Sequence, residues 1–244
     1  MAPFGASRAG LMSVTRDDIP DSGGTHQYNA TAGTGTTLED VIGSLDGDIQ
    51  GASWQSGIGA GDNYLLYDGD TDQTELPGSD SDLSHFSIGQ GTIFAWIRPD
   101  SRDRSPICGV SSSTSDAGGP YLDWEQDEEF RVEWIIDNER YKIEASPGAP
   151  TETWFPVILT GDGSGGEAEG YWGDPTNNYE LESLGTVSLP SATEGNLDDT
   201  MLLGRIRAGE VTFDGGQDIV WFDDKKRSQS DLQSFVDDSK HLYE

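Results

Sequence analysis

The chain has few basic residues, a single cysteine and no long apolar run, and each shortage removes a class of function. Its 244 residues carry 14 Lys and Arg against 45 Asp and Glu, a formal charge of −31. A protein that holds nucleic acid through phosphate contacts needs a basic face, and so few cations scattered among so many anions cannot form one. A bilayer-spanning helix needs about 20 consecutive apolar residues. The longest apolar stretches, such as Ile93-Phe94-Ala95-Trp96-Ile97, fall far short of that. Neither nucleic-acid binding nor membrane insertion is expected. Cys108 is alone, which excludes an intrachain disulfide and any thiolate metal cluster. The stretch from Met1 to Met12 has neither an apolar h-region nor a twin-Arg start, so the expectation is a chain made in the cytoplasm without an export signal.

What is present is as informative. Only four of the cations are lysines, Lys142, Lys225, Lys226 and Lys240. Charge of one sign destabilises a compact state by self-repulsion, but the screening length shrinks to about 3 Å at 1 M salt. Such a surface suits brine, and we expect unfolding, followed by circular dichroism, as KCl falls from molar to millimolar. With 33% hydrophobic residues and seven Trp, the chain is too aromatic for a disordered acidic polymer. A single β-sandwich commonly runs about 200–250 residues, so one domain over residues 26–244 is expected behind a Gly-, Ser- and Asp-rich arm, residues 1–25.

From Gln27 onward, short branched or aromatic runs recur at intervals of about ten residues between Gly, Asp, Asn and Pro clusters, the pattern of an all-β antiparallel sandwich. The clearest runs are 64–67, 91–98, 105–111, 121–125, 130–136, 140–145, 154–160, 167–172, 201–205 and 218–222. Thr92–Ile97 is apolar at neighbouring positions and reads as a central strand buried on both faces. Trp96, Trp134 and Trp221 read as packing between two sheets about 10 Å apart. One short, peripheral helix is expected near the C-terminus, capped by Ser228 or Ser230, with Leu232, Phe235 and Val236 at i, i+3 and i+4.

The order of segments resembles a known family. Leu66-Tyr67-Asp68-Gly69-Asp70, Glu75-Leu76-Pro77 and Thr92-Ile93-Phe94-Ala95-Trp96-Ile97-Arg98-Pro99 resemble the opening strands of concanavalin A-like, laminin-G-type jelly-roll modules. Trp154–Thr160 with Gly170-Tyr171-Trp172-Gly173-Asp174 is similar to the family's tryptophan-led hairpin. Leu202-Leu203-Gly204-Arg205, Phe213-Asp214-Gly215 and Asp218–Phe222 resemble its closing strands, and Thr36–Asp40 with Ala52-Ser53-Trp54 its lead-in. The resemblance covers about residues 27–240 and implies a two-sheet jelly roll with one C-terminal helix. It also implies rim calcium held by Asp side chains, for which Asp68, Asp70 and Asp214 are the candidates, with Asp116 and Asp162 of the same type. The helix-loop-helix calcium pattern fails, because Gln73 stands where Gly is needed.

Sugar binding uses aromatic faces with nearby Asp and Asn. Tyr121, Tyr171, Trp172, Asp174, Asn177 and Tyr179 lie near expected strand ends and are the candidates, with buried packing as the alternative for each aromatic. Glu125-Gln126-Asp127-Glu128-Glu129 has the spacing that puts Glu125, Asp127 and Glu129 on one strand face, as retaining glycoside hydrolysis requires. Gln126 and Glu128 would then face the core, so a solvated hairpin turn fits better. His26, His85 and His241 read as surface or rim residues.

Three roles follow. The first is a non-enzymatic virion surface protein, such as a spike, turret or tail fibre, that uses the sandwich for homo-oligomeric assembly with other virion proteins and for host-glycan adhesion. Phe4–Met12 resembles the start of structural proteins of haloarchaeal tailed viruses, and Phe4, Leu11 and Met12 would bury into an assembly partner. The second is a secreted haloarchaeal carbohydrate-binding module. The third is a glycoside hydrolase built on Glu125, Asp127 and Glu129.

Overall fold

The computed structural model describes residues 20–59, 62–101, 103–111, 118–125, 129–197, 199–206 and 212–243. The assembly residues Phe4, Leu11 and Met12 lie outside them, as do Asp116, Asp127 and most of the expected arm. In chain order the first strands are β1 (His26–Tyr28), β2 (Thr37–Leu38), β3 (Gly47–Gln50), β4 (Ser53–Ser56), β5 (Asn63–Asp68) and β6 (Gln73–Leu76). A short helix, α1 (Ser79–Asp82), runs into a 3-10 segment, Ser84–Ile88, and then come β7 (Gln90–Pro99), β8 (Ser105–Val110), β9 (Gly119–Glu125), β10 (Glu129–Ile136) and β11 (Glu139–Ala145). The chain closes with β12 (Phe155–Asp162), β13 (Glu167–Asp174), β14 (Glu180–Ser188), β15 (Met201–Leu203), β16 (Asp214–Asp223) and α2 (Gln229–Ser239).

These strands form two antiparallel eight-stranded sheets of a jelly-roll sandwich. The first runs β14-β13-β12-β7-β16-β5-β4, with β1 beside β16; the second runs β11-β10-β9-β8-β15-β6-β3-β2. In the first, β5 pairs with the first half of β16 and β1 with the second half, so the two share one edge of that strand. All ten runs read from the sequence fall on strands of these sheets.

The expected two-faced burial of β7 is present, and its cause corrects two expectations. Ile93, Ala95 and Ile97 face the second sheet, where Trp124, Phe130 and Trp134 meet Phe86, Phe155 and Trp172. Phe94 and Trp96 face the other way, into a second core with Trp221, Ile219, Phe235, Val236 and Tyr243. Only Trp134 of the three expected inter-sheet tryptophans lies between the sheets. Trp96 and Trp221 lie under α2, which is therefore the lid of a core and not peripheral. Phe94 stacks on Trp221 at 5.3 Å and 7°, Phe235 meets both edge-on, and Trp96 stacks on Tyr243 at 4.1 Å.

The helix forms where the sequence places it. The Ser228 hydroxyl accepts the Asp231 N–H at 3.2 Å, the acid in the first turn suits the helix dipole, and Leu232, Phe235 and Val236 are buried. The indole N–H of Trp96 donates to Ser239 Oγ at 3.0 Å, fastening the last turn to the sheet.

Candidate functional site

The aromatics proposed as stacking platforms are structural. Tyr121 is 1% exposed, Trp172 4%, Tyr171 5% and Tyr179 8%. Trp172 faces the second sheet against Phe155 and Phe130, whereas Tyr171 and Tyr179 belong to the core under α2. None offers a sugar an open ring face. A β-strand alternates its side chains between two faces, and on β13 both faces are covered, so Tyr171 and Trp172 are enclosed although they point opposite ways. Asp174 caps the 3-10 turn that follows β13, accepting Thr176 N–H and Oγ1–H at 2.7 Å each. Asn177 alone of the six lines a depression, an open one on the flank shared with Asn178, Glu180, Gln233 and Asp237.

The acidic candidates also separate. Glu125 ends β9 and Glu129 begins β10 as its direct cross-strand partner, so the two stand on neighbouring strands and not along one. Asp68 and Asp214 are cross-strand partners, and Asp68 Oδ1 accepts the N–H of Asp70 inside its own turn at 3.0 Å. Among the described residues no three His, Cys, Asp or Glu side chains gather as a ligand set, so Asp68, Asp70 and Asp214 do not form the group that the resemblance implied, although Asp68 and Asp214 are paired. Asp72 is the buried member of this turn; burial pushes its carboxyl up, although it accepts the Asp68 N–H.

Several other buried acids are tied to basic side chains, whereas Asp218 accepts the Tyr243 hydroxyl at 3.0 Å and the Ala30 N–H at 3.1 Å. On the face of the second sheet turned away from the core, Asp123 meets Arg104 at 2.9 Å and Glu133 meets Arg140 at 3.1 Å. Two histidines expected at the surface, His26 and His85, are each 8% exposed. His26 Nδ1 lies 2.7 Å from Asp40 Oδ2, whose carboxylate also accepts the N–H groups of Gln27, Gly43 and Leu45. Burial would raise the Asp40 carboxyl, but these hydrogen bonds outweigh it and hold it well below the usual carboxylate range.

A polar cleft of about 250 Å³ lies at one end of the sandwich, lined by Ser87, Gly118, Asp137, Asn138, Thr193, Gly195 and Asn196. Four separate segments supply it. Asp137 and Asn138 form the two-residue turn between β10 and β11, at φ 53° and 64°. That left-handed backbone is the demand a tight hairpin makes, and Asn and Asp meet it with least strain. The turn therefore fixes an amide and a carboxylate at the rim for reasons of backbone geometry. Residues 193–196 are exposed but pinned. Gly195 N–H donates to Ser87 Oγ at 3.0 Å, Ser84 Oγ donates to Glu194 Oε1 at 2.7 Å, and Leu197 N–H donates to Asp80 O at 2.9 Å. Buried Leu189 and Leu197 anchor the loop at either end.

The chemistry of this lining is hydroxyls, carboxamides, glycine backbone and one carboxylate. Such groups donate to and accept from other hydroxyls. The volume lies just below the roughly 300–1,000 Å³ of drug-sized pockets, so the occupant is small. The sequence reading missed this site altogether. Its only local sign was the Asp137-Asn138 pair between two strand runs.

No protein-family model matches the chain, and no curated sequence does. Solved structures share its fold. A sialidase of Trypanosoma rangeli in complex with 2,3-difluorosialic acid superposes with a TM-score of 0.65 at 15% identity, over 92% of this chain and 34% of the sialidase. The receptor-binding domain of botulinum neurotoxin mosaic serotype C/D gives 0.60 at 15% identity over 90% and 51%. The binding domain of botulinum neurotoxin DC, solved in complex with SialylT, gives 0.62 at 15% identity over 88% and 51%. The chain spans about a third of the sialidase and half of the toxin domains, and at this identity the likeness establishes a shared β-sandwich.

Proposed function

We propose that the chain is a non-catalytic saccharide-recognition sandwich. The observation that carries this reading is the rim cleft, a preorganised pocket of amides, hydroxyls and glycine backbone sized for about one sugar ring. Among the described residues its lining holds one carboxylate, Asp137, where glycoside hydrolysis ordinarily calls for a pair. Glycan-handling proteins with the same sandwich support the substrate class. The setting we infer is a multivalent, salt-exposed surface such as that of a virion, on the strength of the acidic composition and the resemblance of Phe4–Met12. Many copies would convert a weak single site into firm attachment.

The test is a glycan array and solution titration in molar KCl with wild type and with Asn196→Ala. Residue 196 is exposed and outside every strand, so the melt should stay within about 0.5 kcal/mol. Sugar affinity should fall roughly tenfold. Absence of binding to any array member would end this reading. Release of reducing sugar would replace it with the hydrolase.

A further inference from the structure

We infer that the rim cleft takes uncharged sugars and rejects sialic and other acidic sugars, unlike the sialidase and toxin structures that share the fold. This rests on the saccharide reading of the cleft. A sugar carboxylate gives up water on binding and must be met by a cation or by several aimed donors. Among the described residues of the lining the one charge is that of Asp137, which has the same sign. Beside the cleft Glu194 adds a second acid, its carboxylate accepting from Ser84. Arg140, three residues from Asp137 in sequence, reaches Glu133 at 3.1 Å.

Two ranges of electrostatics must be separated. The net charge of −31 repels any anion in dilute buffer, but at molar salt this long-range field is screened within about 3 Å. Discrimination that survives molar salt therefore comes from contact with Asp137 and not from the whole surface. The carboxamides of Asn138 and Asn196 and the Thr193 hydroxyl, by contrast, match sugar hydroxyls as both donors and acceptors.

The experiment uses the full chain in about 2 M KCl, where surface charge is screened. Ligand-observed NMR titrations with lactose and with sialyllactose are run beside an array of matched neutral and sialylated glycans. The neutral member of each bound pair should bind roughly tenfold tighter or more. Asp137→Asn keeps a side chain that tolerates the turn's φ of 53° and should narrow that gap at least about threefold without moving the melt. Sialylated members binding equally or better, or a gap unchanged by Asp137→Asn, overturns the inference while the saccharide reading stands. Binding of no glycan in either class overturns both.

Discussion

The two aromatic cores of this molecule share β7 yet are closed in different ways. The inner core lies between two eight-stranded sheets, so each wall is a ladder whose backbone groups are satisfied along its length. The outer core is roofed by one helix of 11 residues and by Tyr243, held by side-chain packing, by Gln229 and Gln233 hydrogen-bonded to the backbone at Leu181, and by one backbone bond from Gly59 N–H to Leu242 O at 3.0 Å, with no ladder. Ladder walls resist local opening, whereas a single docked helix leaves by losing one layer of packing. The inner core should therefore set global stability and the outer core the first opening.

Trp134→Ala and Phe235→Ala can break that comparison. Trp134 is fully buried and fills the space beside Gly161 and Phe86, so its loss should cost about 3–5 kcal/mol and lower strand and tertiary signals together. Phe235, 7% exposed at the margin of the outer core, should cost about 3 kcal/mol. Its removal uncovers Trp221, so tryptophan emission should shift to the red at lower denaturant than the loss of strand circular dichroism. Coincident transitions in both variants would make the two cores one cooperative unit.

A smaller effect sharpens the inner edge, where β1 is fastened by Asp40. Its carboxyl is held below the usual range, so its stabilisation is full above the unfolded value of about 3.9 and is lost as pH falls through that value toward the folded one. Asp40→Asn should cost about 1.5–3 kcal/mol at neutral pH, and the gap to wild type should close below about pH 4. Thermal melts at constant high salt measure this, and a gap independent of pH would deny the carboxylate its role. His85 acts in a higher window. Burial lowers its pKa, so the neutral ring is the folded form and stability is lost as pH falls below the ordinary histidine value of about 6.5.

The strands were legible because period-two burial writes itself into residue choice, and the α2 cap and apolar stripe because they are local. β1, β3 and β14 were not. The burial of β14 does not alternate cleanly, since a bulge at Gly170 and Tyr171 shifts its register against β13. Trp96 and Trp221 were recognised as buried but assigned to the wrong core, because alternation shows that a face is covered and not by what. The same ambiguity made Tyr171, Trp172 and Tyr179 resemble ligand platforms. The cleft was illegible for a different reason: Gly195 and Ser87 are 108 residues apart, and loop residues carry no mark of which distant loop they will meet.

The smallest expected effect tests whether charge, not packing, secures the roof of the outer core. Lys226, in the segment leading into α2, donates to Glu169 Oε1 at 2.9 Å and Asp162 Oδ2 at 3.2 Å. Burial alone would lower the Lys226 pKa, but these two carboxylates raise it. The pairs are partly exposed, and at molar salt the screening length is no longer than the bridges themselves, so Lys226→Met should change stability by less than about 0.5 kcal/mol there. The methionine keeps the apolar stem, so the measurement isolates the ammonium. A loss above about 1 kcal/mol at molar salt, measured as a shift in denaturation midpoint, would mean that the helix-bearing segment hangs on ion pairs. The distinction between a ladder-walled core and an aromatic-roofed one would then need a third, electrostatic term.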